Sequence, residues 1–106
     1  MEIKLARFDI YKFNNSRASL VVEVQANLLE DFNTVVIVPL IAKTEYKTPL
    51  FKRLTPILTI ENKDYVLATT DIATVKRQSL EHHYGNIANE HYYEITNALD
   101  FLFQGF

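Results

Sequence analysis

The chain has 106 residues, with 13 acidic side chains against 11 Lys and Arg and a formal charge of −2. That length suits one domain, 1–106, and the faintly acidic balance argues against a nucleic-acid backbone as the main ligand, which normally requires a basic face. The absence of cysteine excludes disulfides, thiolate nucleophiles and Cys-type zinc sites, and no run of about 18 apolar residues exists to cross a membrane.

The apolar fraction of 48% fits a packed core. Met1-Glu2-Ile3-Lys4 lacks the apolar centre of a signal peptide, so a cytoplasmic protein is expected. Ile3 to Phe8 alternates as an edge strand does, and Asn14-Asn15-Ser16 signals a turn. Leu20 to Gln25 is β-branched and reads as a second strand, in a hairpin with the first. Leu28-Leu29 follows, then a loop over Glu30 to Asn33. Thr34 to Val38 is nearly all β-branched, a strand suited to burial on both faces, and Pro39 is expected to end it because it offers no N–H to a ladder. Lys43 to Arg53 reads as a long charged loop with room for a short helix or strand. Ile57 to Ile60 and Tyr65 to Ala68 form a second hairpin across the polar turn Glu61 to Asp64. Ile72 to Val75 reads as a further strand, and Gln78 to Asn86 as a polar, solvated approach to a final helix.

In that helix Ala88, Tyr92, Ile95, Leu99, Leu102 and Phe106 are spaced 4, 3, 4, 3 and 4, one apolar stripe. Asn86 or Asn89 is a suitable N-cap. Phe101 falls among the polar positions, where an isolated helix would leave it wet. The simpler reading is a core helix with one exposed Phe, which holds for most of the stripe; the sharper one makes the last turn, Phe101 to Phe106, a contact surface for a partner. Strands first and one helix last imply an all-antiparallel sheet or small barrel with a helix packed on it.

Chemistry is sparse. The only histidines, His82, His83 and His91, lie near Glu81, Glu90 and Glu94, but neighbouring His82 and His83 point apart, so no metal centre is expected. Thr69-Thr70-Asp71 after a strand, with Arg53 or Arg77, would suit acid–base chemistry on a phosphate; the simpler reading is a turn closed by its own side chains. Two glycines, Gly85 and Gly105, cannot make a phosphate-cradling loop, and Ser16, Ser19 and Ser79 lie in no nucleophile elbow. No catalytic residue and no cofactor are expected. An apolar, partly exposed terminus suits a binding protein.

Two blocks and the tail resemble the CcdB family of plasmid-type toxins. They are Val22 to Leu40 (VEVQANLLEDFNTVVIVPL), Leu54 to Val75 (LTPILTIENKDYVLATTDIATV), and a terminal helix ending apolar-Gly-apolar. With Ile3 to Tyr11 as the first strand, the likeness spans most of the chain. The resemblance implies an SH3-like small barrel of antiparallel strands with a small extra sheet and a C-terminal α-helix. It implies a homodimer that binds the DNA gyrase A subunit, traps gyrase on cleaved DNA, and is neutralised by a cognate antitoxin with a disordered C-terminal tail. The gyrase contacts it implies here are Leu28, Leu29, Asp100, Phe103, Gln104, Gly105 and Phe106. Four positions depart from the family pattern. Gln104 replaces a Trp that stacks on a gyrase arginine, Asp100 an amide residue, Phe106 an Ile, and Lys76 the Pro after the Thr-Thr-Asp turn. Loss of the Trp stack would weaken binding roughly 10- to 100-fold unless Phe103 or Phe106 compensates. Two other readings share this barrel: a gyrase-inactive or retargeted homologue that keeps antitoxin binding, and a MazF-type endoribonuclease using Arg53 or Arg77 near Thr69 or Thr70.

Overall fold

The computed structural model describes residues 6–13, 20–26 and 32–105. Seven strands build one curled, barrel-like sheet: β1 Asp9–Phe13, β2 Leu20–Glu23, β3 Thr34–Ala42, β4 Ile57–Ile60, β5 Lys63–Leu67, β6 Ala73–Lys76 and β7 Leu80–Asn86. The helix α1, Ala88–Gln104, follows them. The strand order is β4-β5-β3-β2-β1-β7, with β6 paired to β3 off that path, and every pairing is antiparallel. No helix among the described residues is long and apolar enough to cross a membrane.

Period-two patterning sends successive side chains into two cores. Ile10, Leu20, Val22, Val38 and Leu40 face the larger one, which Leu58, Leu67 and the helix residues Ile95, Ala98 and Leu99 complete. Tyr11, Val21, Val35 and Ile37 face the smaller one on the other side of the sheet, covered by Phe13, Val75 and Leu80. Strand β3 thus buries both faces, as its β-branched run implies. Each fully buried Val or Leu contributes roughly 1.5–3 kcal/mol of transfer free energy, so this strand anchors the molecule.

Pro39 does not end β3, contrary to the expectation from its missing N–H. On one side of the strand β6 pairs with residues 34–37 and β5 with residues 40–42. Pro39 stands at the gap between these two partners, where a missing donor breaks no ladder bond. Its carbonyl still accepts from the Ala68 N–H at 2.9 Å.

Three other boundaries differ from the sequence reading. The first strand is Asp9–Phe13 rather than Ile3 to Phe8: Phe8 takes a left-handed φ of 73°, which turns the chain before pairing begins. Residues 3–5 and the Asn14-Asn15-Ser16 turn lie outside the described residues. The polar stretch before the helix is a strand, β7, paired to β1. The second hairpin turns on two residues, Glu61 and Asn62, with φ of 51° and 66°, the twist-matched two-residue turn. The Thr59 hydroxyl donates to Asp64 Oδ1 at 2.7 Å across it.

Asn86 joins sheet to helix. Its amide donates to Asp9 Oδ1 at 2.9 Å and to the Arg7 carbonyl at 2.8 Å, while its Oδ1 accepts from the Ala88 N–H at 2.9 Å. That last bond satisfies one of the free donors at the helix start, although the N-cap position is held by Ile87 and not by Asn86 or Asn89.

Candidate interaction surface

The apolar stripe of α1 docks through Ile95, Ala98 and Leu99, with Ala88 and Leu102 partly covered. Tyr92, counted in the stripe, lies at its margin, packed edge-on against Phe8 at 5.7 Å and still 46% exposed. The outward face carries three of the residues that the resemblance implies as contacts. Asp100, Phe103 and Gln104, at i, i+3 and i+4, share one exposed arc at the end of the helix. Phe103 is 71% exposed, an apolar ring presented to solvent. Gly105 follows with φ 79°, its N–H bonded to the Phe101 carbonyl at 2.9 Å, so the helix stops by a left-handed turn that glycine adopts without strain.

Phe101 is not the wet residue that its position in the sequence suggests. It lies on the flank facing the segment between β3 and β4, where the Arg53 guanidinium sits over its ring at 4.9 Å. That segment is ordered by Thr55, which is buried; its hydroxyl accepts from the Phe51 N–H at 2.8 Å and its own N–H donates to the Phe51 carbonyl at 2.7 Å. A groove of about 560 Å³ runs between this segment and the helix, lined by Leu50, Arg53, Pro56, Ile57, Glu94 and Asn97. Phe51 and Tyr93 flank the region as exposed aromatics. Neither was singled out as a contact residue from sequence; a lone aromatic in a charged loop and a Tyr on a polar helix face carry no periodic signal. Of the remaining predicted contacts, Leu28, Leu29 and Phe106 lie outside the described residues.

The residues of the alternative constellations lie in separate local contacts among the described residues. Thr69-Thr70-Asp71 forms a single 3-10 turn, with Thr69 fully buried and its hydroxyl donating to the Leu67 carbonyl. Arg77 is tied into the structure instead: its Nε donates to the Phe32 carbonyl at 2.9 Å and its Nη1 lies 3.5 Å from the buried carboxylate of Glu23. Among the described residues no hydrogen bond joins Arg53 or Arg77 to Thr69 or Thr70. His82 packs on Tyr84, while His83 packs on Tyr11 and lies 3.4 Å from Asp9. His91 bonds Glu94 and the Thr59 carbonyl. Among the described residues no three His, Asp or Glu side chains converge as metal ligands would.

The most perturbed group is Tyr11. Burial, then the nearby carboxylates of Asp9 and Glu23, push its phenol well above the ordinary value of 10. It is a residue of β1 in the smaller core, away from the helix end.

The CcdB protein family model matches residues 7–105, spanning every element described above. The chain belongs to the CcdB family. It is thereby a toxin-type component of a toxin–antitoxin pair, and the barrel with its C-terminal helix is the fold expected of that family. No curated protein matches it. Among solved structures it is similar to an endoribonuclease from a mycobacterial species, at 19% identity and a TM-score of 0.68, covering 92% of this chain and 89% of the other. It is also similar to an endoribonuclease in complex with its cognate antitoxin, again from a mycobacterial species. There the identity is 19% and the TM-score 0.71, with 91% of each chain covered. At that identity the likeness establishes a shared fold. In this CcdB-family chain the expected contact residues that can be placed, Asp100, Phe103, Gln104 and Gly105, stand together on exposed surface at one end of the helix.

Proposed function

We propose that this CcdB-family chain is a type II toxin that binds the DNA gyrase A subunit through the exposed end of α1 and traps gyrase on cleaved DNA. The observation that carries the reading is the contiguous arc of Asp100, Phe103 and Gln104, ended by Gly105, on a chain matched to the family over residues 7–105. Phe103 is the aromatic anchor of this surface, because buried aromatic anchors dominate interface energetics and it is the most exposed ring of the arc. A cognate antitoxin with a disordered C-terminal tail neutralises the toxin, which acts in the cytoplasm as a homodimer. No residue of the toxin is catalytic and no cofactor takes part.

The test is surface plasmon resonance against the dimerisation fragment of gyrase A. Wild type binds, and Phe103→Ala weakens binding at least tenfold, about 1.4 kcal/mol or more, while circular dichroism stays unchanged. Growth arrest in a host survives the double change Thr69→Ala with Thr70→Ala, provided the fold is retained. RNA cleavage by the purified protein, with no gyrase binding, overturns the reading in favour of a MazF-type endoribonuclease. Antitoxin binding with neither activity favours a retargeted homologue.

A further inference from the structure

The first turns of α1 break helical geometry at one residue. His91 has φ −130° and ψ 15°, a kink inside an otherwise regular helix. The kink accompanies an unusual pair of contacts. His91 Nδ1 lies 2.6 Å from Glu94 Oε1, and Nε2 lies 3.0 Å from the Thr59 carbonyl oxygen on β4. A carboxylate and a peptide carbonyl can only accept hydrogen bonds. A neutral imidazole carries one N–H and can satisfy one of them, leaving its other nitrogen lone pair against an oxygen lone pair. Only the imidazolium donates to both. We propose that His91 is held as the imidazolium and clamps the kinked start of α1 to β4, so that docking of this helix loosens as the ring loses its proton.

The position of the clamp gives it leverage. Strands β4 and β7 are the two ends of the sheet path. Thr59, Ile60 and Glu61 on one side and Tyr84, Gly85 and Asn86 on the other line a cleft of about 260 Å³, with Glu90 and His91 of the helix beside them. The seam between those ends is spanned at His91. Among the described residues, its bond to Thr59 is the one hydrogen bond between α1 and β4.

The surroundings favour the cation. Glu94 touches the ring, and Glu90 lies on the same helix. Glu61 from the β4–β5 turn and Tyr84 from β7 line the same cleft. Asp64 on β5 is held by the hydroxyl of Thr59; the nearby cations among the described residues are Lys63, which lines the adjoining part of the cleft, and Lys52 and Arg53, which line the groove on the other side of Glu94. Burial of the ring works against its charge, but the bonds to Glu94 and Thr59, with the Glu94 and Glu90 charges, outweigh it and raise the pKa above the usual 6.5. A raised folded-state value means that the clamp's contribution is complete below the unfolded value of about 6.5. It is lost as the pH rises through the higher folded value.

Long-range 15N–1H correlation spectra of the intact wild-type chain read the ring directly. The ring should titrate at higher pH than histidine in the urea-unfolded chain, with both His91 nitrogens showing protonated-type shifts below that titration. A ring titrating at or below the unfolded value overturns the proposal without any mutation. The second measurement compares thermal unfolding of wild type and His91→Gln. Wild type should melt about 4–8 °C higher near pH 6, with the gap closing towards pH 9. Glutamine can donate to Thr59 or Glu94 but cannot lose a proton in this range. A gap of constant size across that range means that His91 acts by packing alone. If His91→Gln fails to fold at any pH, the nuclear magnetic resonance titration decides.

Discussion

Tyr11 shows how a single side chain sets a pH limit on this fold. Its ring fills the smaller core while its hydroxyl lies 3.4 Å from Asp9 Oδ2, beside the buried carboxylate of Glu23. Ionising the phenol there would add a charge to a buried acidic neighbourhood, which is why its pKa is pushed upward. Its contribution to stability is therefore complete below about pH 10, where the unfolded chain begins to ionise, and falls away as the pH rises further. Urea unfolding of Tyr11→Phe should show a flatter alkaline limb than wild type, at a cost near neutrality of about 1 kcal/mol for the lost hydroxyl bond. An unchanged limb would place the alkaline sensitivity elsewhere. At the helix end, Gln104 offers an amide where the family presents a flat aromatic face. Gln104→Trp should tighten binding to the gyrase A fragment about tenfold, mainly by slowing dissociation, as seen in surface plasmon resonance. If Trp weakens binding that is already nanomolar, Phe103 and its neighbours form a different anchor.

At the scale of elements, the end of α1 separates the residues that dock the helix from those of the proposed contact surface. Ile95, Ala98 and Leu99 dock the helix, while Phe103 to Gly105 are exposed. Removing residues 104–106 should shift the melting temperature modestly and abolish gyrase binding; loss of folding would show that the removed residues belong to the core. The elements legible in the sequence are those whose burial writes a period: β2, β3, the β4–β5 hairpin and α1. Strand β7 was not legible, because Leu80–Asn86 pairs its backbone to β1 while nearly all of its side chains stay exposed or half-exposed. A ladder needs N–H and C=O groups, not apolar residues, so Glu-His-His-Tyr-Gly pairs as well as Val-Ile-Val would. Pro39 misled for a related reason: whether a missing N–H matters depends on which partner lies opposite, a fact of tertiary arrangement. Phe101 reads from its spacing as a wet residue because its cover, Arg53, lies 48 positions earlier, in a loop without periodicity. Of the candidate contacts, those on the helix come from the family resemblance, and their exposure follows from the stripe on the opposite face.

At the scale of the whole molecule, exposed Tyr93, Phe103, Phe51 and Leu50 leave more apolar surface in water than the docking of one helix requires. A two-fold partner is the economical way to cover part of it. Sedimentation equilibrium at micromolar concentration should return about twice 12.3 kDa, and a clean monomer would contradict the homodimer. The sheet also has a hub: β3 alone pairs with three strands, β2, β5 and β6. Those partners lie both before and after it in the chain, so bringing them together closes several loops on one nine-residue segment. Such a segment sets the pace of folding. Until β3 is in register neither core can form, and folding should run at the slower rates typical of non-local topology. Changes in β3 should then act on the rate of folding, whereas changes on α1, which docks on a finished sheet, should act on the rate of unfolding. The proposed recognition surface thus sits on the element whose alteration should least disturb the path to the native state, so a change of partner there need not cost the chain its way to the fold.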